Sequence, residues 1–124
     1  MLLAPLSDQT RGIVDRNVLR GMKPSAYLIN VARGEICDEG ALIEALRDHA
    51  IAGAGLDAFA VEPLPPEHPF WAMENVIVTP HVAGQSTVYV DMALPVLLHN
   101  MTAFLAGHPH DMRNRVERAT VKVR

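Results

Sequence analysis

Arg33, Asp57, Glu62 and His81 are the residues whose types could together manage a proton and an anion. A carboxylate beside an imidazole raises the histidine pKa and fixes its tautomer, giving an acid/base able to work near neutral pH. An arginine adds a planar fork that matches a carboxylate. Taken singly, each has a plainer explanation: His81 as a loop or capping group, Glu62 as solvated loop before Pro63, Arg33 as a tie for the turn at Gly34, and Asp57 as the cap of a local backbone turn. Their placement after apolar runs is what sets them apart.

"AYLINV" (26–31) and "NVIVTP" (75–80) are short continuous apolar runs bounded by turn formers, the pattern of strands buried on both faces. "AGAGLDAF" (52–59) is a third, richer in small residues. "DEGALIEALRDHA" predicts a helix capped by Asp38, with Ala41, Leu42, Ala45 and Leu46 on one face. An earlier helix over "DRNVLRGM" starts at Asp15 and stops before Lys23-Pro24. "STVYVDMALPVLLHNMTAFLAG" reads as one long helix kinked at Pro95 and ended by Gly107. Strands alternating with helices imply an α/β fold with a parallel sheet, whose sites lie at the carboxyl ends of the strands. Arg33, Asp57, Glu62 and His81 all fall at or beyond such ends.

With 124 residues and 49% hydrophobic composition, the chain can build one core of ordinary size. Its 14 acidic and 11 basic residues are scattered, for a net charge of −3, and no basic stripe points to nucleic acid or to an anionic membrane. Met92 to Leu98 falls well short of the ~18 apolar residues of a membrane span. A single cysteine and no charged-then-apolar leader predict a reducing, cytoplasmic setting. No metal is expected: His108 and His110 bracket Pro109 with no acidic or cysteine ligand read beside them. Cys37 reads as a buried or loop thiol, and Phe70 and Trp71 as anchors of the stiff "EPLPPEHP" loop. No G-x-G-x-x-G occurs; Gly53 and Gly55 enter a strand where that fingerprint must leave one.

"PLSDQTRGIVD", "LINVARGEICDEGALIEAL", "AGAGLDAFAVEPLPPEHPFW" and "NVIVTPHVAG" together resemble the C-terminal half of the D-isomer-specific 2-hydroxyacid dehydrogenases, over nearly the whole chain. The resemblance implies that residues 1–84 form the second half of a Rossmann-type sheet, on its nicotinamide side. Residues 85–124 would be a helix and tail returning to a substrate domain. It implies catalytic roles for Arg33, which binds the substrate carboxylate and carbonyl, for His81 as proton donor or acceptor, and for Glu62 as its partner. It also implies an NAD or NADP site using Ala4, Pro5, Val31, Ala32, Arg33, Asp57, His81, Ala83 and Gly84, with Asp57 on the carboxamide. The reaction implied is hydride transfer between that cofactor and a 2-keto or D-2-hydroxy acid.

The chain departs from the family at its start, where the glycine fingerprint and the acidic ribose ligand would precede Met1, and at Leu3, where many relatives are polar. The expectation is a fragment needing the missing N-terminal half, another chain or a second copy of itself, with an apolar sheet edge at Leu2 to Pro5 prone to association. The competing expectation is a non-catalytic assembly piece.

Overall fold

The computed structural model describes residues 1–116, and the chain divides into two compact units, Met1–Gly84 and Gln85–Arg124. In the first unit Asp15 accepts the Val18 N–H and starts α1 (Arg16–Arg20), while Asp38 accepts the Ala41 N–H and starts α2 (Glu39–Arg47). Each cap satisfies a donor that the first helical turn leaves open. The strands β1 (Tyr27–Asn30), β2 (Gly53–Leu56) and β3 (Val76–Val78) pair in parallel in the order β1-β2-β3. Leu28, Ala54 and Val76 lie in one row across them. Leu2 adds a parallel bridge on the other side of β1, its N–H donating to the Ile29 carbonyl at 2.8 Å. This is the Rossmann-like α/β arrangement the sequence predicts.

The sheet is covered on one face within this unit. Leu28, Ala54 and Leu56 are buried against Leu19, Leu42, Leu46 and Ile51. Each large aliphatic residue so placed contributes roughly 1.5–3 kcal/mol. Tyr27 and Ile77, which point to the other face, are 65% and 71% exposed. The expectation of strands buried on both faces therefore fails here: α1 and α2 pack with each other, and their core residues join only the Leu28 face. The glycines of β2 have a packing explanation, since a Cβ on Gly53 would stand 2.5 Å from the Asn75 carbonyl oxygen.

α2 carries β1 to β2, but between β2 and β3 the chain runs through the proline-rich segment and a 3-10 turn (Pro69–Ala72) with no α-helix. Phe70 anchors that segment in the core at 2% exposure, its ring 6.4 Å from that of Phe59. Trp71 is 55% exposed and does not enter the core, but its indole N–H donates to the Pro65 carbonyl and ties the proline-rich segment to the turn.

In the second unit α3 (Tyr89–Leu105) contains Pro95 and closes with Gly107 in the left-handed region. The His108 N–H returns to Ala103 and the Gly107 N–H to Phe104, the paired bonds of a glycine-terminated helix. The 3-10 turn that follows (Pro109–Asp111) corrects the reading of the two histidines. Asp111 brings a carboxylate beside them, with ligand atoms of His108, His110 and Asp111 within 4.8 Å of one another, all on exposed residues. Residues 117–124, the end of the tail, lie outside the described residues. No helix among the described residues is long and apolar enough to cross a membrane.

Candidate active site at the carboxyl edge of the sheet

β3 ends as the Thr79 N–H donates to the Leu56 carbonyl, and Pro80, lacking an N–H, cannot extend the ladder. His81 follows with φ +56°, a left-handed conformation uncommon outside glycine. Its Nδ1 lies 2.8 Å from Glu62 Oε2, with both side chains partly exposed. Glu62 Oε1 accepts the Phe59 N–H at 2.9 Å. That amide, then the hydrogen bond with His81, hold the Glu62 carboxyl below its ordinary value against the opposing effect of burial; the charges of His81 and Arg33 act in the same direction. A carboxylate facing Nδ1 fixes the proton there, so Nε2 is the nitrogen whose proton can be exchanged with a substrate.

The turn that carries His81 is held by Asp57, which is 3% exposed at the end of β2. Its Oδ1 accepts the Thr79 hydroxyl at 2.6 Å and the Val82 N–H at 2.9 Å, and its Oδ2 accepts the Ala83 N–H at 2.8 Å. Burial pushes this carboxyl upward, but the bonds from Thr79, Ala83 and Val82, with the charge of His81, outweigh it and leave Asp57 below its ordinary value. Asp57 thus caps a turn, though one more than twenty residues away in sequence.

Arg33 is exposed just beyond β1, one guanidinium N–H donating to the Ala32 carbonyl. The bend is shaped by Asn30, 1% exposed, whose Oδ1 accepts the Ala32 N–H and whose Nδ2 donates to the Arg33 carbonyl. Sequence reasoning missed Asn30, although a polar residue inside "YLINV" is a visible signal. Gly34 is required for close approach: a Cβ there would stand 2.0 Å from the Phe59 carbonyl carbon and 2.3 Å from the Ala60 nitrogen. The Arg33 turn therefore sits against the backbone that binds Glu62.

Three of the predicted site residues are thus tied together, by direct bonds among Asp57, Glu62 and the His81 turn, and Arg33 lies on the turn packed against Phe59 and Ala60. Val31 and Ala32 lie at the same strand edge, as do Ala83 and Gly84 after His81. Ala4 and Pro5 follow the bridge that Leu2 makes to Asn30. A cavity of about 460 Å³ adjoins the pair, lined by Phe59, Glu62, Leu64, Trp71, Val78 and His81. An equally large cleft by Arg47, Ala52 and Asn75 lies at the opposite ends of the strands and holds none of these groups. Cys37 takes no part: burial, with Asp38 and Glu39 nearby, pushes its thiol up to about 12.

An imidazole–carboxylate pair and an arginine thus stand at the carboxyl edge of a parallel sheet, where the sites of such sheets lie. Residues 1–83 match the family model described as the D-isomer specific 2-hydroxyacid dehydrogenase, NAD binding domain. The chain belongs to that family. A glyoxylate reductase of Aeropyrum pernix is 43% identical over 121 residues, which cover 97% of this chain and 35% of the relative. A D-isomer specific 2-hydroxyacid dehydrogenase of Xanthobacter autotrophicus, solved with NADPH, superposes with a TM-score of 0.79 at 44% identity, over 93% of this chain and 46% of that one. An NADPH-dependent glyoxylate/hydroxypyruvate reductase of Sinorhizobium meliloti, solved with NADP, gives 0.78 at 35% identity, over 93% and 37%. The chain spans about a third of the length of the curated relatives it matches.

Proposed function

We propose that this chain supplies the acid/base pair, the carboxylate fork and the nicotinamide side of a reductase acting on small 2-keto acids, reversible toward D-2-hydroxy acids. The observation that carries the reading is the 2.8 Å contact of His81 with Glu62 on the edge that also bears Arg33. The donor set fits the nicotinamide end of the cofactor. Asp57 Oδ2 takes one hydrogen bond and keeps an acceptor site for a carboxamide N–H, beside the small residues Ala83 and Gly84. The described residues offer no glycine turn for a pyrophosphate, and that cradle is assigned to the part of the fold outside this chain.

The reduced nicotinamide, when bound, supplies hydride to the carbonyl carbon of the keto acid. Arg33 orients the substrate through the guanidinium N–H groups not used on Ala32, gripping the carboxylate and the adjacent carbonyl oxygen. Protonated His81 gives its Nε2 proton to that oxygen, while its Nδ1 proton stays on the ring, hydrogen-bonded to the Glu62 carboxylate, and the reverse reaction returns a proton to Nε2. The cofactor is NADH or NADPH, and the setting is the cytoplasm, in keeping with one buried, unpaired thiol.

The test pairs the purified chain with a fragment carrying the fingerprint half of a relative and follows NADH and NADPH oxidation with glyoxylate and hydroxypyruvate. Turnover only on mixing, abolished by His81→Ala, is expected. Micromolar NADH binding and turnover by the chain alone, or no His81-dependent turnover under any pairing, would overturn the reading.

A further inference from the structure

The loop that carries Glu62 is itself gripped by a second histidine–carboxylate pair. Glu39, the first residue of α2, accepts the Ala60 N–H on Oε2 at 3.4 Å and faces His68 Nε2 with Oε1 at 3.2 Å. It therefore touches the loop two residues before Glu62 and six residues after it. The tautomer of His68 follows from its other nitrogen, because Nδ1 accepts the Phe70 N–H at 3.3 Å and so leaves the proton on Nε2, directed at Glu39. That same bond caps the 3-10 turn Pro69–Ala72. The His68 ring lies 4.7 Å from the ring of the fully buried Phe70, so the far end of the clasp rests on the core. Both partners are more enclosed than the His81–Glu62 pair, with side-chain exposures of 14% for His68 and 29% for Glu39.

We infer that Glu39 and His68 are positioning residues for the acid/base pair, clasping both ends of the 60–68 loop so that Glu62 stays between the Phe59 N–H and His81 Nδ1. Only the catalytic consequence rests on the proposed function; the mechanical claim stands on the geometry. Glu62 can keep two partners at 2.8 and 2.9 Å only while its loop is fixed, since residues 60 to 63 are exposed. Phe59 is held by the close approach of Gly34 and the His81 turn by Asp57; Leu64 packs on the core and Trp71 bonds to Pro65 within the loop, and Glu39 and His68 fix its two ends.

Two substitutions separate positioning from general support. His68→Asn keeps an acceptor where Nδ1 caps Phe70 but has no donor where Nε2 meets Glu39. Glu39→Gln presents an N–H₂ or a lone carbonyl where two donors must be accepted. The readout is the titration of the Glu62 carboxyl, followed by carbon NMR on the full chain with labelled glutamate. In both variants it should move upward, toward the ordinary 4.5, as Glu62 loses its fixed partners. The sign is diagnostic for Glu39→Gln, because removing a nearby negative charge by itself moves a carboxyl downward. Glu67→Gln, on the same loop, should leave it in place. If Glu39→Gln depletes the folded state, the cap-preserving His68→Asn decides alone. An unmoved or lowered Glu62 titration in a folded His68→Asn chain overturns the inference, whatever the reductase assay shows. Absence of reductase turnover strikes the proposed function and leaves the clasp standing.

Discussion

Replacing Asp57 with Asn keeps the volume of a buried side chain and removes its charge, and the structure says which bonds must suffer. The carboxylate accepts three hydrogen bonds, from the Thr79 hydroxyl and the Val82 and Ala83 N–H groups. An amide can accept only on its oxygen, so two bonds survive in weakened, uncharged form and an N–H₂ group is turned toward the third N–H. Bonds to charged groups contribute about 1.5–3 kcal/mol each and neutral ones about 1 kcal/mol. The exposed Ala83 can recover a water, which places the cost near the lower end, at about 2 kcal/mol. The left-handed His81 adds to the sensitivity, since such a conformation costs about 1–3 kcal/mol and persists only where its surroundings impose it. Urea unfolding at fixed protein concentration and neutral pH should show the loss as a lower midpoint with an unchanged slope. The pH dependence supplies a second check. A carboxyl whose folded pKa lies below its unfolded value gives stability that is present above the unfolded value and lost as pH falls through the folded one. The gap between wild type and Asp57→Asn should therefore close below about pH 4, starting from the ordinary 3.8 of an aspartate. Equal midpoints at neutral pH, or a gap unchanged down to acid, would refute the assignment of Asp57 as the holder of the His81 turn.

Gly34→Ala should destabilise the first unit by about 2 kcal/mol, because its Cβ meets backbone rather than a movable side chain; calorimetry that finds a stable variant would refute the close approach. In the assembled enzyme Glu62→Gln should lower kcat for keto-acid reduction by at least about tenfold, since an amide can turn an N–H₂ toward Nδ1 and no longer fixes the proton there, and an unchanged kcat counts against the pair. Arg33→Lys should lower kcat/KM by about tenfold or more, at least ~1.4 kcal/mol of transition-state binding, because a point charge cannot replace the fork; equal steady-state constants would make Arg33 structural.

What was legible in the sequence is what local chemistry decides. The caps Asp15 and Asp38 stand immediately before the helices they start, and the three strands coincide with short apolar runs. What was not legible depends on cover and on distance. The pattern of "AYLINV" asks for a second layer over Tyr27, and no sequence pattern within the first unit says that only one face receives it. Asn30 was visible as a polar interruption, but its task, bridging Ala32 and Arg33, is a property of the bend rather than of the residue type.

The residues proposed as the acid/base pair were readable because their chemistry resides in the side chain, whereas their supports are backbone amides that every residue but proline possesses. Nothing in "Phe59" announces a donor for Glu62, and nothing in "Val82-Ala83" announces two donors for Asp57. "TPH" illustrates both kinds of information in three residues. Thr79 makes the last ladder bond, Pro80 ends the strand because it has no N–H, and His81 turns out of line; the first two steps follow from residue chemistry alone. The turn at His81 does not, because a left-handed histidine is stable only with Asp57 beneath it. The histidine proposed as proton donor therefore owes its direction to a carboxylate just beyond a different strand. A substitution at Asp57 removes the bonds that hold Thr79, Val82 and Ala83, and so releases the turn on which His81 stands without touching the imidazole.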